Sequence, residues 1–343
     1  MNKLKTIGLS ALAGSLAIAT SANAVDYAVT GDAYVSYSSQ DDNTTEAASG
    51  KGYAVDTDLY FNAAGELDNG YTVSFFLGVN THGAFSNTSS QVTLGMGSLG
   101  TVQINNKVGS KANAIDDVMP NAMQETWDRV ASASTTNPSF FGSSSSKGSI
   151  DYRIPTLDLA GVSVNFAATY DPSADEDPYN ASSGGVATSV PATAYVLQLS
   201  AMGLEIGAGQ EKLDNEQGIA LGEGETNTTG YIKYAYGPIS AGYQEAYADN
   251  RHGTATTGAD NEAEFWGIAY TAGDISVSYA ESEYMTKAIA GGTDSKTQQL
   301  ESVQASYTMG SMTIMGSLSE GSNVGTTANK NYEEASVAVN FSF

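Results

Sequence analysis

The sequence predicts an all-β protein, a sixteen-stranded antiparallel transmembrane β-barrel. Three observations carry that expectation. Apolar residues fall at every second position in segment after segment, up to the last residue: Val337, Val339, Phe341 and Phe343 alternate with Ala338, Asn340 and Ser342. Period two is the signature of a strand with one apolar and one polar face. Beyond the N-terminal stretch, no apolar run reaches the ~20 residues that a spanning helix needs. Short turns alternate with long polar connections around an even number of strands, the layout of a barrel with two unlike ends.

The segments follow in order. Tyr27–Ser38 carries Val29, Gly31, Ala33, Val35 and Tyr37 on one face and Asp32 and Tyr34 on the other. Tyr53–Glu66 sets Val55, Leu59 and Phe61 against Asp56, Asp58 and Tyr60. Asn69-Gly70, a strong hairpin signal, leads into Val73, Phe75, Leu77 and Val79. Val92 and Leu94 precede a glycine turn at Gly97–Gly100, and Val102 and Ile104 follow it. Ile150, Tyr152 and Ile154 stop at Pro155, and Val162 to Tyr170 resume after Gly161. Four further pairs turn at Met202-Gly203, Gly237-Pro238, Ala272-Gly273 and Met309-Gly310. The closing strand begins near Tyr332. Eight longer connections remain, at about 39–52, 83–88, 107–146, 171–191, 213–227, 250–261, 285–296 and 320–331.

Closure follows from the solvent. Lipid offers no hydrogen-bond partner, so every backbone N–H and C=O of a spanning sheet must be paired within the protein. A sheet achieves this by closing on itself, with one face toward hydrocarbon. At sixteen strands the interior is too wide for side chains to fill, and it holds water. One position fits poorly: along the parity of Ile239, Ala241 and Tyr243, Glu245 points at lipid. Either it lies at headgroup level, or a bulge shifts the register.

Lys3 and Lys5, an apolar stretch from Ile7 to Ala19 and Ala22-Asn23-Ala24 read as a cleaved secretory signal peptide, residues 1–24, leaving 25–343 as the barrel. Export combined with the barrel layout makes an outer membrane beyond the periplasm the expected location. Net charge is −24, and loss of the two lysines makes the exported chain more acidic still. Such a surface repels phosphates, so no nucleic-acid partner is expected. There is no cysteine, which excludes disulfides, thiol nucleophiles and cysteine-held metals.

The connection at 107–146 exceeds the ~12–15 residues usual for a structureless loop, which marks it as a candidate functional segment. It carries Asp116, Asp117, Glu125 and Asp128, with Lys107, Lys111, Arg129 and Lys147 around them, and Ala122–Ala131 is expected to form a short helix. The chain resembles the general diffusion porins of Gram-negative bacteria, of the alphaproteobacterial type. The resemblance rests on Val29-Thr30-Gly31-Asp32-Ala33-Tyr34, on Gly97-Ser98-Leu99-Gly100-Thr101-Val102, on Ser149 to Pro155 with Gly161–Tyr170, and on Asn340-Phe341-Ser342-Phe343.

That resemblance implies a homotrimer in contact with outer-membrane lipid and lipopolysaccharide. It implies a third outer loop folded into the lumen, so that Asp116, Asp117, Glu125, Asp128, Arg129, Lys107 and Arg153 become candidates for the constriction. It also implies that Phe343 is the signal read by the outer-membrane assembly machinery. The family often sets an arginine cluster against the acidic loop, and here the chain departs: Asp32, Asp56 and Asp58 point inward beside Tyr34 and Tyr60, and the inward cations are Arg153, Lys107 and Lys233. A net acidic lumen concentrates cations, so mild cation selectivity is expected. No enzyme activity is implied. A sugar-selective pore stays open because Tyr34, Tyr60 and Phe76 have lumen parity, and a structural or adhesive barrel with a filled lumen is the third reading.

Other signals are weaker. Gly95-Met96-Gly97-Ser98-Leu99-Gly100 matches a dinucleotide fingerprint, but a strand follows where a helix is required. No cofactor is expected. Asp171, Asp175, Glu176 and Asp177 are weak candidates for Ca²⁺, since carboxylates suit it while their spacing matches no known calcium loop.

Overall fold

The computed structural model describes residues 26–43, 49–80, 86–106, 115, 118–128, 148–172, 191–213, 226–249, 259–288 and 292–343. Residues 1–25 and the remainder of the long connections lie outside the described residues, and with them the signal-peptide reading. Among the described residues the strands are β1 (Asp26–Asp42), β2 (Gly50–Glu66), β3 (Thr72–Asn80), β4 (Ser86–Gly95) and β5 (Thr101–Asn106). One interrupted strand, β6 (Ser149–Arg153 with Leu157–Leu159), follows; both pieces pair with β7 (Val162–Asp171), and Pro155 lies in the break. Then come β8 (Ala192–Ala201), β9 (Leu204–Leu213), β10 (Thr226–Tyr236), β11 (Ile239–Asp249), β12 (Ala259–Ala272) and β13 (Ile275–Ala288). The last three are β14 (Gln298–Met309), β15 (Met312–Ser322) and β16 (Tyr332–Ser342).

Each strand pairs antiparallel with its sequence neighbours, and β1 pairs with β16, so the sheet is a closed ring of sixteen. At this seam Gly31 N donates to Phe343 O (2.6 Å) and Phe343 N donates to Gly31 O (2.9 Å). The terminal ring packs where a side chain on residue 31 would stand: a Cβ there would meet Asp58 O at 2.7 Å and Phe343 Cε2 at 3.0 Å. Glycine leaves the room that the last aromatic ring takes against β1.

Five of the seven short turns are two-residue hairpins containing glycine, while the β2–β3 and β4–β5 turns take five residues each, 67–71 and 96–100. Gly237, Gly273 and Gly310 take positive φ at the first turn position, the type II′ geometry whose twist matches the flanking strands. Side chains alternate as expected. Trp266, Ile268, Tyr270, Val277 and Val303 are exposed on the outward face, while Phe265, Ser278, Ser282 and Gln304 are buried on the inner one.

Two differences from expectation concern strand ends. β1 runs to Asp42 and β2 starts at Gly50, so the first connection is shorter than 39–52; β12 and β13 likewise extend to Ala259 and Ala288. Backbone pairing continues past the point where apolar alternation stops, because a ladder in water needs hydrogen bonds but no greasy face. The register slips at Gly78/Val79, opposite β4, at a bulge the alternation did not announce. No bulge occurs at Glu245. It points outward in continuous register opposite Glu264, toward the long-connection end of β11, and Tyr243 Oη donates to both carboxylates (2.6 and 3.2 Å).

Candidate functional site

The inner wall is acidic. Asp32 and Asp58 are direct cross-strand partners, as are Tyr34 and Asp56. Asn80 Nδ2 donates to Asp56 Oδ1 (2.9 Å), and the rings of Tyr60 and Phe76 stack at 5.9 Å beside the carboxylates. Period two puts these residues on one face, so the sequence-expected wall group of Asp32, Tyr34, Asp56, Asp58 and Tyr60 is assembled on β1 and β2. Glu205, Glu211 and Glu334 continue the acidic lining on β9 and β16.

The two inward cations among the described candidates are held by the wall. Lys233 Nζ pairs with Glu205 Oε1 at 3.5 Å. Arg153 donates to Gln103, which donates to Asn105 in turn. Asn105 Nδ2 donates to Asp151 Oδ2 (2.6 Å), and Thr169 Oγ1 donates to Asp151 Oδ1 (2.6 Å). Arg153 therefore belongs to a buried polar network across β5, β6 and β7.

The long connection between β5 and β6 is described at Ile115 and at Val118 to Asp128. These residues rest on inward-facing side chains of β11 to β14, half a ring away from the strands that carry the connection. Gln244 Nε2 donates to Ile115 O (2.8 Å), and Ala122 N donates to Ser278 Oγ (2.8 Å). Gln304 makes three hydrogen bonds to the connection: its Oε1 accepts from Met123 N (2.8 Å) and Gln124 N (3.1 Å), and its Nε2 donates to Gln124 O (2.6 Å). Thr126 Oγ1 donates to Ser282 Oγ (2.7 Å), and Trp127 meets Phe265 edge-on at 5.0 Å. Gly242 and Gly267, partners across β11 and β12, leave the depth in which Met119 and Pro120 lie. A Cβ on Gly267 would stand 2.9 Å from Pro120 O.

No helix forms within 118–128. The backbone donors of Ala122, Met123 and Gln124 go to wall side chains, and one turn closes at Asp128 N→Glu125 O (3.3 Å). Of the constriction candidates, Glu125 is half-buried and accepts from Asn121 Nδ2 (2.7 Å), and Asp128 is exposed. Asp116, Asp117, Arg129 and Lys107 lie outside the described residues. So do Asp175, Glu176 and Asp177 of the calcium candidates, while Asp171 is buried on the inner face of β7. Sequence reading missed the amide and hydroxyl platform of Gln244, Ser278, Ser282 and Gln304. Its one visible signal was that the inward positions of β11 to β14 carry neutral hydrogen-bonding residues and glycines where β1 and β2 carry aspartates.

Residues 8–326 match the family model described as Gram-negative porin. The fold is similar to that of OmpT of Vibrio cholerae in a trimer form (TM-score 0.65, 12% identity, covering 94% of this chain and 100% of that one). It is also similar to an anion-selective porin from Comamonas acidovorans (0.61, 13%, 93% and 100%) and to Salmonella typhi OmpF in complex with daunomycin (0.64, 12%, 93% and 98%). A search of curated proteins finds no match.

Proposed function

This chain belongs to the Gram-negative porins of the outer membrane, and we propose that it forms a water-filled channel for passive diffusion of small hydrophilic solutes, with mild cation selectivity. The family is one of channels, not catalysts. The single observation that carries the channel reading is the placement of Ile115 and residues 118–128 on the wall opposite β5 and β6. In this reading the connection that leaves β5 and returns to β6 crosses the bore to reach β11 to β14, and so narrows a lumen that sixteen strands alone leave wide. Glu125 and Asp128 sit on that connection, and Asp116, Asp117, Arg129 and Lys107 are proposed to flank the same waist.

Cation preference is supported by the wall. Asp32, Asp56 and Asp58 stand together, whereas Lys233 and Arg153 are engaged by Glu205 and Gln103. The field in the bore is then negative, which raises the local concentration of cations. The fold alone does not set this sign, since one similar structure is that of an anion-selective porin. Reversal potential across planar bilayers in a KCl gradient tests it; an anion-selective potential would refute it.

Trimer formation is part of the proposal, supported by the trimeric neighbour. So are contact with lipopolysaccharide, recognition of Phe343 by the assembly machinery, and calcium at Asp171, Asp175, Glu176 and Asp177. A sugar-selective pore is the second reading, favoured by the inward Tyr60–Phe76 stack. Concentration-dependent block of ion current by an oligosaccharide would support it over unselective diffusion.

A further inference from the structure

The connection between β15 and β16 folds back over the inner wall. Its tight turn at Val324–Thr326 returns Val324 to β15, and that side chain is fully buried. Strand register builds the hole that takes it. Leu300, Gly321, Tyr332 and Asp42 are successive cross-strand partners on the inner face of β14, β15, β16 and β1. Leu300 and Tyr332 are large and buried, and Gly321 between them has no side chain. Val324 fills the gap: a Cβ on Gly321 would stand 2.8 Å from Val324 Cγ2 and 2.9 Å from Leu300 Cδ2.

Polar contacts fasten the connection on both sides. Toward β14, Gly325 N donates to Gln298 Oε1 (2.7 Å) and Asn323 Nδ2 donates to Thr297 O (3.0 Å). Toward β1, Asn331 N donates to Asn43 Oδ1 (2.8 Å) and Asn43 Nδ2 donates to Asn329 O (3.0 Å). Lys330 Nζ lies 3.7 Å from the buried Asp42 carboxylate. Asn323 and Asn329 take positive φ, which asparagine tolerates better than most residues, so the sequence suits the fold-back.

The plug has a neighbour from another part of the chain. Trp127, on the connection between β5 and β6, packs against the cluster of Leu300, Val324 and Tyr332. Trp127 also packs against the larger inner cluster that includes Ile115, Met119, Phe265 and Tyr284. It therefore bridges the two. Hydrogen bonds to Ser278 and Gln304 seat residues 122–124, and Trp127 is the large apolar anchor further along the same segment.

We propose that Val324 is a positioning residue for the waist: wedged over Gly321, it holds Trp127 against Phe265, so that the connection between β15 and β16 helps set the width of the bore. The effect on width rests on the channel reading above; the seating of Trp127 does not. The cause is packing. A gap beside Trp127 forfeits the contacts on that side and leaves the ring free to turn toward water.

The chain has two tryptophans, so Trp266→Phe leaves Trp127 as the single emitter. In that background Val324→Ala opens a gap, and Gly321→Ala fills the hole and displaces Val324. Ala328→Ser, at an exposed position of the same connection, is the control. The full chain in vesicles is read by Trp127 emission and acrylamide quenching, and in planar bilayers by the size cutoff for neutral polymers. Heat-modifiable gel mobility reports an intact ring. Both variants are expected to show red-shifted emission, a higher quenching constant and a cutoff at larger polymers, with the control unchanged. Unaltered emission and quenching in both variants would overturn the proposal, since Val324 would then only cap the rim. So would a Trp127 response with an unmoved cutoff in conducting protein. Absence of current in the parent would sink the channel reading instead, while fluorescence alone decides whether Val324 seats Trp127.

Discussion

Gln304→Ala tests the seating of the long connection on the far wall. Gln304 is buried, and its amide accepts from Met123 N and Gln124 N and donates to Gln124 O. Each such bond contributes ~1 kcal/mol net of exchange with water, so truncation costs about 2–3 kcal/mol of docking free energy. At about 1.4 kcal/mol per factor of ten, the undocked population rises roughly 30- to 140-fold. Barrel stability is little affected, since the wall ladder of β14 is backbone-made. The assay is single-channel recording in planar bilayers, with Ser317→Ala as control. Ser317 Oγ shares a wall hydrogen bond with Ser336 Oγ (2.7 Å), away from the described residues of the connection. Gln304→Ala is expected to show excess current noise, substates and a larger mean conductance, and Ser317→Ala wild-type traces. If Gln304→Ala also gives wild-type conductance and noise, the contacts of 122–124 do not shape the pore and the reasoning fails.

Three further outcomes follow from the same geometry. Gly267→Val places methyl groups where Pro120 O lies, which costs ~1–3 kcal/mol and lifts the connection off β12; conductance rises with the ring intact by gel mobility. Asp32→Asn/Asp56→Asn/Asp58→Asn removes three inward charges and lowers the cation-to-anion permeability ratio by about twofold, read from reversal potentials at low salt, with the effect fading at 1 M KCl as screening shortens to ~3 Å. Gly31→Val strains the β1–β16 seam at Phe343 and the β1–β2 ladder at Asp58, and lowers the temperature of the heat-modifiable gel shift, whereas Gly52→Val, where a Cβ meets nothing within 4 Å, does not.

The barrel was legible because lipid on one side and water on the other impose period two on every strand. Tyr243, Trp266 and Val303 could be assigned outward, and Asp32, Tyr60 and Lys233 inward, from parity alone. The ends of β1, β2, β12 and β13 were not legible, since beyond the membrane the ladder runs on through residues such as Gln40, Asp41 and Lys51 that carry no periodic signal. The bulge at Gly78/Val79 was hidden for a related reason: Ser89, Thr88 and Asn87 are polar on both faces, so a slip leaves the pattern unchanged. The expected helix near Ala122 failed because propensity takes no account of Gln304 and Ser278, which capture the backbone donors from a distant part of the chain. Glu245 reads as a misfit in isolation. Paired with Glu264 and bridged by Tyr243, it belongs to a carboxylate row that only strand register reveals.

The most direct test of the account is conductance of the purified full chain in planar bilayers with neutral polymers of graded size. Ohmic, stepwise channels are predicted, with current reduced by polymers small enough to enter and unaffected by large ones, and with a cutoff that moves to larger polymers in Gln304→Ala. Insertion without current, or a cutoff identical in the two proteins, would contradict a water-filled bore narrowed by the connection between β5 and β6.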